Sequence, residues 1–167
     1  MKILRNLALL LMLLPTLSTA AEVSYLKIHL MQPKDLIENK IGSIDEMSRY
    51  IKQVEVGISD KLASISSNPT WGFLVIAVRN DGKIKAWLDT DEQVLPSITT
   101  AMIEIAQTTN SFPVNAGAVI FSLGFAINGA DIPPNTMPFP NEWKTVSKCS
   151  NEDCADQNAE EIVLGSW

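Results

Sequence analysis

The side chains that could do chemistry in this chain are few, and they fall in scattered places. Asp89, Asp91 and Glu92 lie within four residues of one another. Three carboxylates so spaced could hold a hard cation or divide into an acid and a base. Carboxylates at the start of a helix also complement its dipole, and that structural role is the better expectation here. Asn151, Glu152, Asp153 and Asp156 form a second acidic run, without the ligand spacing and glycine of an EF-hand loop. His29 is the only histidine, on the more polar side of an alternating segment with no nucleophile signature beside it. Ser122 stands in Ile120-Phe121-Ser122-Leu123-Gly124, which lacks the first glycine of a nucleophile elbow. P-loop, dinucleotide-binding and HExxH patterns are absent from the sequence. The expectation is therefore no catalytic residue, no metal ligand and no cofactor. A hydrolase or a cation-binding enzyme would need Asp89, Asp91 and His29 to meet in one cleft.

The remaining reactive groups are Cys149 and Cys154, and their reading depends on the compartment. Lys2 and Arg5 precede an apolar run from Leu7 to Leu14, then Pro15 and the small residues Ser18-Thr19-Ala20. That order is the pattern of a secretory signal peptide over residues 1–20, with cleavage before Ala21. The run is about half the ~20 residues a transmembrane helix needs, so no stable membrane insertion is expected after cleavage. In an oxidising compartment, periplasmic or extracellular, the two cysteines are expected to pair as a local staple. Four polar and acidic residues separate them, which argues against a redox-active pair.

Of the 167 residues, 46% are hydrophobic and 19% charged, the composition of one domain with a substantial core. The net charge of −6 argues against nucleic-acid binding, which needs a basic face. Charge is uneven along the chain. Residues 86–167 hold eleven carboxylates against Lys144 and Lys148. An acidic half of this kind can steer a basic partner.

The elements that must carry these residues follow from periodicity. Val23 to Met31 alternates, with Leu26, Ile28 and Leu30 on the side expected to be buried. Ser43 and Glu46 have capping-box spacing. Ile44, Met47, Ile51, Val54, Ile58, Leu62 and Ile65 then trace one helical face. Trp71–Val78 and Lys83–Leu88 read as strands joined at Asp81-Gly82, a strong hairpin signal. Thr90 to Thr108 reads as a second helix, with Thr90 and Gln93 as a further capping box; Pro96 must lie in the first turn or introduce a break, so regular helix is expected from about Leu95. Ala118 to Ile127 alternates again, with the small residues Ser122, Gly124 and Ala126 on one side. Pro133, Pro134, Pro138 and Pro140 then impose an extended segment, pinned by Met137, Phe139 and Trp143. Ile162 to Trp167 is expected to be a last short strand or docking segment. The fold class is α+β: a two-layer sandwich in the order βαββαβ, with both helices on one face of a small sheet. Residues 21–129 form this domain, and 130–167 a Pro-rich, acidic, disulfide-stapled tail packed on it.

The run Gly72–Val78, Asn80-Asp81-Gly82-Lys83-Ile84, amphipathic helix, Phe112-Pro113 and Val119–Phe125 resembles the carboxy-terminal domain of TonB and TolA. The likeness spans about residues 43–127. It implies a periplasmic domain that pairs extended peptides with a sheet edge. The leading expectation is thus an exported, non-catalytic protein-binding module, meeting an extended peptide or a basic partner through a sheet edge or the acidic half. Candidate contact residues are Asp89, Asp91, Glu92, Ser122, Gly124, Glu152 and Asp153. An immunity or inhibitor protein that masks a toxin's site is the alternative, and a small hydrolase or cation-binding enzyme a further one.

Overall fold

Asp81 and Gly82 make the turn on which the sheet is built. The computed structural model describes residues 20–146 and 155–167. In it Gly82 has φ +79°, a conformation that costs a side-chain-bearing residue about 1 kcal/mol. The Asp81 carboxylate accepts from Arg79 Nε at 2.9 Å and from the Lys83 N–H at 3.2 Å, closing the turn from its side. The turn joins β2 (Thr70–Arg79) to β3 (Ile84–Thr90) in an antiparallel pair running from Gly72↔Thr90 to Val78↔Ile84. The next strand, β4 (Ala118–Ile127), lies antiparallel along the other side of β2. Strand β1 (Val23–Leu30) pairs antiparallel with β4. The sheet is four-stranded and antiparallel throughout, in the order β1-β4-β2-β3.

One face of the sheet is covered by the two helices whose apolar stripes the sequence displays. Helix α2 (Ile44–Leu62) buries Met47, Ile51, Val54, Ile58 and Leu62, and adds Tyr50. Helix α3 (Pro96–Thr108) buries Ile98, Ala101, Met102 and Ala106. They pack on Leu74, Ile76 and Val78 of β2 and on Phe121, Leu123 and Phe125 of β4. A Cβ on Gly57, within α2, would lie 3.0 Å from Ile105 Cγ2. The glycine lets the two helices approach closely, which accounts for a residue that otherwise weakens a helix. Pro96 opens α3 and is tolerated there because a first-turn N–H has no helical partner. Neither expected capping box forms. Ser43 stands at the N-cap of α2 without a side-chain cap bond, and Thr90 belongs to β3. A short helix, α1 (Lys34–Lys40), precedes α2 and has no counterpart in the sequence expectation, because seven residues are too few to show a period.

The second face of the sheet is also covered, so two layers become three. Past β4 the chain crosses beneath the sheet and forms α4 (Asn141–Val146) and α5 (Ala155–Gly165). Phe139, Trp143, Ile162 and Val163 are buried against Phe73, Val75, Trp87 and Ile120. Every residue of β4 is buried. A Cβ on Gly124 would lie 3.3 Å from the Lys27 carbonyl oxygen, so the glycine eases the close approach of β1. The expected strand near Ile162 is instead part of α5. Ala159, Ile162 and Val163 are its buried residues, at i, i+3 and i+4 on one helical stripe. The expected leader over residues 1–20, apart from Ala20, and the Cys149–Cys154 staple lie outside the described residues. Among the described residues no helix is long and apolar enough to cross a membrane.

Candidate functional site

Two of the three clustered carboxylates are engaged in backbone hydrogen bonds. Asp89 Oδ2 accepts the Phe139 N–H at 2.7 Å, tying the proline-rich crossing to β3. Asp91 Oδ1 accepts the Trp71 N–H at 3.2 Å and the Glu92 N–H at 2.9 Å, closing the loop that leaves β3. The expected dipole role is also corrected. Helix α3 starts at Pro96 and has no acidic residue in its first turn. His29 and Asp89 sit on the two outer strands, separated by three strand spacings of about 4.8 Å each. Phe73, opposite Asp89, stacks edge-to-face on His29 with ring centroids 5.3 Å apart. Among the described residues no three His, Cys, Asp or Glu side chains gather as a metal site.

Ser122 and Gly124 are buried in the centre of the sheet and offer no surface to a partner. Ser122 is directly opposite His29 in the β1–β4 pair, and Gly124 opposite Lys27. The Ser122 Oγ and His29 Nε2 atoms are enclosed and make no hydrogen bond among the described residues. Burial, and then the neighbouring Lys27 charge, lower the His29 pKa, so the imidazole is neutral at pH 7. Glu152 and Asp153 lie outside the described residues.

A polar cluster that no motif announces locks the second layer in place. Strand β4 extends past the end of β1, and its first backbone groups need partners. Gln32 supplies two, donating to the Ala118 carbonyl at 3.2 Å and accepting the Ile120 N–H at 3.1 Å. From α5, Glu160 accepts the Ala118 N–H at 3.0 Å. Lys40 Nζ donates to Glu160 Oε2 at 2.6 Å and to the Ala118 carbonyl at 3.1 Å. Burial alone would raise the Glu160 pKa. The bonds from Lys40, Ala118 and Gln32 outweigh it and hold the carboxyl below the ordinary Glu range. The adjoining Gly117, at φ +62°, leaves no room for a Cβ beside Glu160. Past α5, the Arg79 guanidinium lies 4.6 Å from the Trp167 ring centroid. The partners in these bonds are 42–128 positions apart in the chain, so spacing could not reveal them.

The open surface is the edge formed by β1. Tyr25 pairs with Phe125 but Lys27 pairs with Gly124, so Leu26 is the extra residue of a β-bulge. The bulge turns Tyr25 to the helix side, where its hydroxyl donates to the Glu55 carbonyl at 3.1 Å. Leu26, Ile28 and Leu30 are left 53%, 49% and 41% exposed, which overturns the expectation that they form the buried side of the strand. The cause is position. As an outer strand β1 has a neighbour on one side only, and α2 covers it only near Tyr25. A cavity of about 200 Å³ opens between Leu26, Ile28 and Glu55, with Leu123 among its lining residues. The backbone of β1 is open outwards as well. Met31 N–H points inwards, donating to the Ile120 carbonyl at 3.1 Å. Backbone direction alternates along an antiparallel strand, so Lys27 and His29 also turn inwards while Ile28 and Leu30 direct their N–H and C=O groups outwards. Among the described residues no strand lies beyond them. The other outer strand, β3, is protected: α3 packs along it, and it carries Lys85 and Asp89.

These features define an α+β protein with an antiparallel sheet, layered on both faces and open at one apolar strand edge. No protein-family model, curated protein or solved structure matches the chain.

Proposed function

We propose that this is an exported, non-catalytic protein-binding module that adds an extended segment of a protein partner to the outer edge of β1. The observation that carries this is the pairing of outward backbone groups at Ile28 and Leu30 with exposed apolar side chains at Leu26, Ile28 and Leu30. Backbone groups supply affinity in such pairing, and alternate side chains supply selectivity. An apolar outer strand left uncovered is otherwise an aggregation hazard, which proteins blunt when it serves no purpose. The leader pattern of residues 1–20 supports export, and the resemblance to TonB and TolA domains points to the same mode of contact. Asp89 and Asp91 are engaged in internal bonds, so the contact shifts from the acidic half to β1, whose charged side chain at pH 7 is Lys27. An extended peptide fits that edge better than a basic partner does.

Selection from a library of unstructured nine-residue peptides tests this. Enriched peptides should alternate apolar residues, and Ile28→Pro, which removes one outward N–H, should weaken them at least about tenfold. Absence of enrichment, or binding indifferent to Ile28→Pro, rules the edge out.

A further inference from the structure

We infer that the occupant of the β1 edge is the same edge of a second copy of this chain, joined across a twofold axis at His29 into one eight-stranded sheet. This rests on the edge reading above and names its partner. Twofold self-pairing of antiparallel strands about an axis normal to the sheet keeps each copy's helices on the same side. Residues opposite one another must then share a face and point their backbone groups at each other. Ile28 and Leu30 are the outward residues, and both lie on the helix side, opposite Leu123 and Phe121. Few registers satisfy both conditions.

Strand geometry chooses among them. Placing Ile28 opposite its own copy sets Leu30 against Leu26, the bulge residue, where the alternation of outward groups breaks. Placing Leu30 opposite its own copy sets Ile28 against Gln32, beyond the end of β1 and bonded to β4. Placing Ile28 opposite Leu30 of the second copy avoids both. Lys27 then faces Met31, His29 faces its own copy across the axis, and the imidazoles meet neutral. This register forms two hydrogen-bonded residue pairs, Ile28 with Leu30 and Leu30 with Ile28. It also covers the apolar side chains that a lone chain leaves in water. Strand β1 has no carboxylate between Val23 and Leu30 that would seek a cation on a foreign strand. What the edge displays is complementary to itself.

Sedimentation of the purified protein over a range of concentrations, together with cysteine cross-linking, tests the inference. In this register His29 forms the closely spaced, non-hydrogen-bonded pair, with Cα atoms about 4.5 Å apart, within disulfide reach. Lys27 of the two copies would be about 13 Å apart, beyond it. The expected result is a mass rising from one chain to two with concentration. His29→Cys should cross-link under mild oxidation, Lys27→Cys should not, and Ile28→Pro should raise the dissociation midpoint at least tenfold with an unchanged circular dichroism spectrum. The cysteine variants are read against the unsubstituted chain, which carries Cys149 and Cys154. A single chain at every concentration, a dimer insensitive to Ile28→Pro, or cross-linking at Lys27 in place of His29 overturns self-pairing. If the chain stays single yet selected peptides bind in an Ile28-dependent way, the edge reading stands and the second copy is excluded. If neither occurs, both fall.

Discussion

Glu160 is the polar residue of α5 that reaches both Lys40 and the start of β4. It holds α5 against β4 through Lys40 and the Ala118 N–H, and neither bond survives protonation unchanged. Its folded pKa lies below that of the unfolded chain, so the unfolded state takes up the proton first as pH falls. The stabilisation is therefore complete above the ordinary Glu pKa and is lost as the pH drops through the lower, folded value. Glu160→Gln should cost about 2 kcal/mol at pH 7, because it removes a charge-assisted bond to a half-buried lysine. It should also flatten the loss of stability as the pH falls through and below the ordinary Glu pKa of about 4.3. Urea midpoints for both proteins across that range check this, and parallel curves would show that Glu160 is not the group responsible. Asp81 is likewise held well below the usual carboxylate range, by its bonds to Arg79 and Lys83. It is exposed, and water screens such pairs, so its substitution should move stability little. Gly82→Ala, in the same turn, acts through the backbone instead. At φ +79° it should cost about 1 kcal/mol or somewhat more, read as a shift in the urea midpoint with an unchanged slope.

At the scale of elements, the two faces of the sheet were unequally legible. The α2 and α3 stripes and the β2–β3 hairpin follow from period and turn chemistry, and they appear where Met47–Leu62, Ile98–Met102 and Asp81-Gly82 indicate. The second layer was hidden in a proline-rich tail. Its anchor is Trp143, wholly buried in the short α4 and edge-to-face with both Trp87 and Phe139. Trp143→Ala should cost about 3–5 kcal/mol, as large core truncations do, although the residue lies outside the central domain expected from sequence. A loss below 1 kcal/mol in denaturant unfolding would mean that the tail is only loosely applied. Strand β1 was recognised, but Ile28 and Leu30, which do face the helix side, stay exposed at the rim of the sheet, and Leu26 falls out of the pairing. One inserted residue, Leu26, shifts the pairing of everything before it relative to everything after. Alternation in a sequence records which residues share a side; it does not record which side finds a neighbour.

For the whole molecule, the tail is structural, which limits where a partner can bind. Among the described residues, α2 and α3 cover one face of the sheet and α4 and α5 the other, and the β1 edge is the strand edge left open. A chain ending at Asp131 would uncover Phe73, Val75, Trp87 and Ile120 together, an apolar area that monomeric proteins do not tolerate. Such a truncation should bind a hydrophobic dye and aggregate. A soluble monomer with the unfolding midpoint of the full chain would refute the integral role of the tail.

Local signals settled what is local: the hairpin, the presence of two amphipathic helices, the α+β class and the absence of recognisable catalytic motifs. Each depends on residues within one turn or one period of one another, where sterics and hydrophobic spacing act directly. The tertiary structure alone decided the strand order, the second layer, the Gln32–Lys40–Glu160 lock and the exposure of Leu26, Ile28 and Leu30. Those depend on contacts between residues far apart in the chain, and on whether a strand lies at the rim of the sheet or inside it. Rim and interior strands can share the same alternating residues, because what separates them is the presence of a neighbour.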